Sequence, residues 1–195
     1  MLKDLILKNR SYRGFRQDKQ FTKEELMELV DHARLTASSL NKQALKYYLV
    51  WKKDEVDAVQ KETKWAKALK EIELPHEGKC PTAFIVIMQD KDVDDSAQRF
   101  VRDVGIAAQT ILLAAVERGW GGCMIGSYNG GGVRDALNIP EHLQPMLVVA
   151  LGEPDETIVL KEIENGESTT YYRDENDVHY VPKRKLEDII VTSGS

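Results

Sequence analysis

Arg10-Ser11-Tyr12-Arg13 sets two guanidinium groups beside a serine hydroxyl within four residues. That is the composition needed to hold a phosphate through charge-assisted hydrogen bonds, although an arginine-bearing loop is by itself more often a solvated or ion-paired surface. A second polar run, Ser38-Ser39-Leu40-Asn41-Lys42-Gln43, offers neutral donors and acceptors at Ser38, Ser39, Asn41 and Gln43. Such a set can read the carbonyls, ring nitrogens and hydroxyls of a flavin or nucleotide. A turn leading from a helix to a strand would account for Ser and Asn here but does not need all four. A third run, Gly121-Gly122-Cys123-Met124-Ile125-Gly126-Ser127, lets backbone lie close to a ligand, because glycine has no Cβ to hold it away. It fits neither the phosphate-loop pattern, which needs Gly-Lys followed by Ser or Thr, nor the dinucleotide spacing. Lys183-Arg184-Lys185 is a short basic run, ordinarily a solvated patch, that could complete an anion site begun by Arg10 and Arg13.

Other reactive side chains are dispersed. His32, His76, His142 and His179 have no neighbouring Ser, Cys or Asp arrangement suited to nucleophilic catalysis. Cys80 and Cys123 have no Cys or His at zinc-ligand spacing, so buried free thiols are expected rather than a metal site or disulfide framework. A site without an evident acid, base or nucleophile points to a cofactor that carries the chemistry.

The elements that must position these runs follow from hydrophobic periodicity. Leu2, Leu5 and Ile6 predict a short helix before a polar loop over 9–20. Thr22 with Glu25 is a capping-box pair opening a helix with Leu26, Leu29, Val30 and Ala33 on its apolar stripe, fading near Thr36. A strand is expected over 47–51, then a helix over about 56–72 carrying Val59, Trp65, Ala68, Leu69 and Ile72. The continuous apolar run 83–88 suits a strand buried on both faces. Residues 97–118 form a helix that is apolar or small on nearly every side between 104 and 116, which belongs in a core or a subunit interface. The turn 119–122 ends it, and a short strand over 123–126 leads into a glycine-rich loop over 127–132. A core strand over 145–151 is closed by a Gly152-Glu153-Pro154 turn.

After residue 155 the chain is charged and largely non-periodic, with a strand candidate over 178–181 and a short helix over 186–190. So little apolar content cannot build a separate core, so this segment is expected to be disordered or draped over another surface; Tyr171, Tyr172, Tyr180 and Val181 favour draping. At 195 residues and 42% hydrophobic content, one domain with a full core fits the chain and two would be cramped. With 27 basic against 32 acidic residues, a net charge of −5 does not favour nucleic acid or a membrane surface as a partner. No apolar run reaches the ~18 residues of a membrane span, and the N-terminus lacks a signal-peptide pattern, so a soluble cytoplasmic chain is expected.

Taken in order, these segments resemble the nitroreductase family of FMN-dependent oxidoreductases. Its Arg-Arg-Ser-x-Arg-x-Phe motif is matched by Asn9-Arg10-Ser11-Tyr12-Arg13-Gly14-Phe15, with Asn9 in place of the first arginine. Its Pro-Ser-Ser-x-Asn-x-Gln-Pro-Trp motif is matched by Ala37-Ser38-Ser39-Leu40-Asn41-Lys42-Gln43-Ala44-Leu45, with both prolines and the tryptophan replaced. The helix through Asp103-Val104-Gly105 and the segment 119–127 look like the family's dimer-interface helix and the strand lying over the flavin ring.

The resemblance implies an α+β fold, a mixed β-sheet flanked by helices, forming a single domain over 1–195. An arm over about 155–195 would be exchanged between the subunits of a homodimer. It implies FMN held at its phosphate by Arg10, Ser11 and Arg13, with Lys183 and Lys185 added from the C-terminal arm. Ser38, Ser39, Asn41 and Gln43 would reach the flavin from the opposite subunit, and Met124, Ile125, Gly126 and Ser127 would run over the ring. A backbone amide near Gly126 would bond the ring nitrogen that accepts hydride. The implied reaction is ping-pong transfer from NADH or NADPH, through FMN, to a small electron-poor acceptor such as a nitroaromatic, a quinone or an activated alkene. The same scaffold also supports flavin reduction, dehalogenation or non-catalytic FMN binding and redox sensing, and fold alone does not choose among them.

Overall fold

A computed structural model describes residues 1–69 and 71–193. They fall into two compact units, Met1–Trp65 with Leu74–Asp155, and Ala66–Glu73 with Glu156–Ser195. The first contains α1 (Leu2–Lys8), β1 (Phe15–Arg16), α2 (Lys23–Arg34), β2 (Leu45–Val50), α3 (Lys53–Glu62), β3 (Ala83–Asp90), α4 (Ala97–Glu117), β4 (Gly121–Ile125), α5 (Gly130–Leu137) and β5 (Leu143–Pro154). The second contains β6 (Ile158–Ile163), β7 (Tyr172–Arg173) and β8 (His179–Arg184).

The layering of the first unit follows from β3, whose side chains alternate between two apolar clusters as the period of a strand requires. Ala83, Ile85 and Ile87 face the cluster completed by Leu26, Leu29 and Ala33 of α2 and Ala107, Ala108, Ile111 and Ala115 of α4. Phe84, Val86 and Met88 face Val56 and Val59 of α3 and Val133 and Leu137 of α5. A strand without a solvent face carries no polar alternation, which is why 83–88 reads as an unbroken apolar run.

β3 pairs with β2 and β5, and β5 also pairs with β4 and β1. All of these pairings are antiparallel, so the principal sheet is not the mixed sheet expected; among the described residues, β6 and β8 of the second unit pair in parallel. The Thr22–Glu25 capping box forms as read from the sequence: the Thr22 hydroxyl accepts from the Glu25 amide at 3.2 Å and the Glu25 carboxylate from the Thr22 amide at 2.8 Å.

α4 ends in a Schellman turn. Gly119 takes φ +78°, its amide donates to the Val116 carbonyl at 3.0 Å, and the Trp120 amide donates to the Ala115 carbonyl at 2.9 Å. Open space surrounds the position where a Cβ would sit. Gly119→Ala is therefore expected to cost only backbone strain, about 1 kcal/mol, read as a lowered melting temperature in circular dichroism with ligand binding intact.

Several element boundaries differ from those expected. The helix expected to reach Ile72 stops at Glu62, because tertiary pairing overrides propensity. Thr63 turns extended and bridges Tyr128, the Lys64 amide donates to the Ser127 carbonyl at 2.8 Å, and the Trp65 indole N–H donates to the Thr63 hydroxyl at 2.9 Å. The glycine-rich loop expected over 127–132 becomes α5 from Gly130 onward. Glu62 stabilises that start: its carbonyl accepts from the Asn129 amide and its carboxylate from the Asn129 side chain, both at 2.8 Å, which places negative charge at a helix N-terminus. The loop expected over 9–20 contains β1, and β5 runs through the expected Gly152-Glu153-Pro154 turn, because Pro154 and Glu153 pair with Phe15 and Arg16.

The charged C-terminal segment has a sheet of its own rather than being disordered. The strand candidate over 178–181 becomes β8, the helix over 186–190 shrinks to a 3-10 turn at Glu187–Ile189, and β6 and β7 were not anticipated. Its centre is polar rather than apolar, so a hydrophobicity argument misses it. The ion pair of Arg173 with Glu156 leaves their side chains 1% and 4% exposed, and His179 is buried beside the ring of Tyr171. Among the described residues no helix is long and apolar enough to cross a membrane.

Candidate functional site

The Arg10 loop and the glycine run come together through backbone. Ser11 forms an isolated parallel bridge with Gly122, and the Tyr12 amide donates to the Gly122 carbonyl at 3.0 Å. Gly122 makes room for this. A Cβ there would lie 2.1 Å from the Ala150 carbonyl oxygen and 2.7 Å from a Leu112 methyl, so only glycine lets β4 sit this close to β5 and α4. The Tyr12 hydroxyl donates to the Lys8 carbonyl at 2.8 Å, which ties the loop back to α1.

Both guanidinium groups are partly withdrawn from water. Arg13 is buried and donates to the Ser11 carbonyl at 3.2 Å. Arg10 donates from Nη2 to the Ile6 carbonyl at 2.6 Å, while its Nε is buried without a hydrogen-bond partner among the described residues. Burial pushes the Arg10 guanidinium below its ordinary pKa, against an opposing pull from Tyr12. A buried cationic donor left unsatisfied is costly in a finished structure, and an anionic oxygen would relieve that cost.

From Gly122, β4 carries the chain roughly 13 Å to Gly126 at the rise of an extended strand. Gly126 is exposed, and no atom lies within 4 Å of where its Cβ would be. Met124 is also exposed, whereas the Ile125 side chain is buried in the α3/α5 cluster, which leaves only its backbone to face a ligand. Ser127 is half-buried and its carbonyl is taken by the Lys64 amide.

The 38–43 loop is anchored on α4. Asp103, 4% exposed, accepts the Ser38 hydroxyl at 2.8 Å, the Ser39 amide at 2.8 Å and the Ser39 hydroxyl at 2.6 Å. Burial raises the Asp103 pKa, but the three hydrogen bonds outweigh it and hold the carboxyl below its usual range. Since the folded pKa is depressed, this anchor is complete above the ordinary carboxylate range and is lost as pH falls through the lowered value. Asn41 and Gln43 remain exposed, and Gln43 lines a cavity of about 150 Å³ together with Ser38, Tyr47 and Asp103.

In the second unit, Lys183 is exposed on β8, while Lys185 donates to Glu164 at 2.5 Å, a hydrogen bond that raises its pKa. Sequence reasoning missed Asp103 as an anchor. The available signal was a lone carboxylate at the start of an apolar helical stretch, since a buried charge has to find partners.

The Nitroreductase family profile matches residues 6–153, spanning the Arg10 loop, the 38–43 loop, α4 and β4. A Methanothermobacter thermautotrophicus protein provisionally named an NADH dehydrogenase/NAD(P)H nitroreductase is 27% identical over 157 residues, covering 78% of this chain and 77% of that protein. A nitroreductase family protein from Streptococcus pneumoniae has a similar solved structure, with a TM-score of 0.68 at 16% identity over 99% of this chain and 100% of that one. A protein from Exiguobacterium sibiricum, provisionally named a nitroreductase and solved in complex with FMN, has a TM-score of 0.65 at 15% identity over 80% of this chain and 89% of that one. At such identities the two structures speak for the fold, and the family profile for descent: with most of its length matched, this chain belongs to the nitroreductase family.

Proposed function

We propose that the protein is an FMN-dependent oxidoreductase that transfers hydride from NADH or NADPH to a small electron-poor acceptor. The observation that carries this reading is the fusion of the Arg10 loop to the start of β4, with a buried unsatisfied Arg10 Nε at one end and open space beside Gly126 at the other. A ligand with a phosphate at one end and a flat ring at the other meets both. The name of the Methanothermobacter relative supports the nicotinamide, and the FMN in the Exiguobacterium structure supports the cofactor.

Bound FMN would supply the redox chemistry linking oxidation of NADH or NADPH to reduction of a nitroaromatic, quinone or activated alkene in ping-pong order. The chain's own residues bind and orient. Arg10, Ser11 and Arg13 would hold the FMN phosphate. The backbone from Met124 to Ser127 would lie against the ring, its amide near Gly126 offering a fixed donor that needs no side-chain acid. Asn41 and Gln43 complete the site from a second copy of the chain. The exposed apolar residues Val101 and Ile106 on α4 support that homodimer, because apolar surface on a long central helix gains by being covered. Exchange of the 155–195 arm between subunits, and function in the cytoplasm, belong to the same reading.

Anaerobic and aerobic oxidation of NADH and NADPH by the FMN-loaded protein, with and without a nitroaromatic, is the test. Acceptor-dependent oxidation is expected. Firmly bound FMN that neither nicotinamide reduces would make the protein a binder rather than an enzyme.

A further inference from the structure

We infer that Asp103 is the positioning residue of the 38–43 loop, dividing its polar set into two anchors, Ser38 and Ser39, and two ligand-facing groups, Asn41 and Gln43. This rests on the reading above that the loop meets the flavin. The Ser38 hydroxyl donates to the Asp103 carboxylate and the Ser39 hydroxyl to the same carboxylate, with the Arg99 carbonyl also within 3.4 Å of Ser39, so neither proton is left to donate to a ligand. The Ser38 hydroxyl in turn accepts from the Gln43 amide at 3.1 Å, so the carboxylate fixes the far end of the loop through Ser38 as well as the near end through Ser39.

The backbone between these anchors is strained. Leu40, Asn41 and Gln43 have φ of 53°, 51° and 52°, a left-handed conformation that asparagine tolerates but that leucine and glutamine rarely adopt. A connection between α2 and β2 has no need of three such residues; they persist where surrounding contacts over-determine them. A second carboxylate adds to the restraint. Asp94 accepts from Lys42 at 2.5 Å, from Arg99 and from the Ser96 amide at 2.9 Å, which pins the exposed side of the loop to the segment that opens α4. The consequence is that the backbone presenting the exposed Asn41 and Gln43 has little freedom left to lose on binding, which is how pre-organisation strengthens affinity.

Amide hydrogen exchange of the apoprotein and FMN titration by flavin fluorescence, applied to wild type, Asp103→Ala, Asp103→Asn, Ser39→Ala and Asp103→Ala/Ser39→Ala, test the inference. Asp103→Ala should accelerate exchange at Ser39 and Gln43 by about tenfold or more while β3 and β5 amides keep their protection, and should weaken FMN binding by about tenfold. Asp103→Asn, which keeps one acceptor oxygen, should fall between, and it carries the test if the alanine variant does not fold. The double variant should be no weaker than Asp103→Ala, because Ser39 acts through the same carboxylate. Unchanged exchange at Ser39 and Gln43, acceleration spread equally through β3 and β5, or FMN affinity within about twofold of wild type would overturn the assignment. If wild type itself bound no FMN, the flavin reading would fall, and the exchange data alone would decide whether Asp103 holds the loop.

Discussion

Gly126→Val is expected to fold normally and lose FMN, while Gly122→Val, four residues earlier, is expected to be strongly destabilised. The difference lies in what each Cα faces. At Gly122 a Cβ would sit 2.1 Å from a carbonyl oxygen of the neighbouring strand, and neither the β4–β5 pairing nor the Leu112 packing behind it can give way cheaply. Overpacking of this kind against backbone costs about 3 kcal/mol or more, a large fraction of the roughly 5–15 kcal/mol that holds a domain together. At Gly126 nothing of the chain lies within 4 Å, so a branched side chain is sterically free in the apoprotein. It would occupy the space in which the flavin ring is proposed to lie. Circular dichroism and soluble yield separate the two variants, and FMN fluorescence titration of the folded one completes the comparison. A Gly126→Val protein that bound FMN as tightly as wild type would remove the ring from this stretch of backbone.

Replacing both arginines of the first loop should have the next largest effect. Each charge-assisted bond to phosphate is worth about 1.5–3 kcal/mol, roughly tenfold to a hundredfold in affinity, so Arg10→Ala/Arg13→Ala should weaken FMN binding by roughly a hundredfold or more. Part of any loss could come from α1, since Arg10 also bonds the Ile6 carbonyl. Arg10→Lys separates these contributions: it keeps the positive charge but gives up the planar donor fork, so its FMN affinity should be intermediate while α1 stays folded. Affinity unchanged in the double variant would leave the loop with a purely structural role, tying α1 to β4.

What could be read from sequence was local or periodic. The Thr22–Glu25 capping box, the both-faces burial of β3 and the termination of α4 at Gly119 each depend on residues a few positions apart. The phosphate-type loop and the glycine run were recognisable as compositions, but their union through Ser11 and Gly122 spans more than a hundred residues and has no sequence signature. Long-range pairing also explains the failures. α3 stops at Glu62 because Thr63 and Lys64 find partners at Tyr128 and Ser127, and Ser38 and Ser39 look free until Asp103 is folded against them. The C-terminal segment misled for a different reason: its centre is the Arg173–Glu156 ion pair, which a count of apolar residues scores as surface.

Whether the chain binds FMN through the Arg10 loop and the backbone around Gly126 is read directly from purified protein incubated with excess FMN, desalted and scanned through the visible. A flavin absorption band is expected to travel with wild-type protein and to be lost from both Gly126→Val and Arg10→Ala/Arg13→Ala. Wild-type protein that emerges colourless, or variants that retain the band as fully as wild type, would contradict this mode of binding.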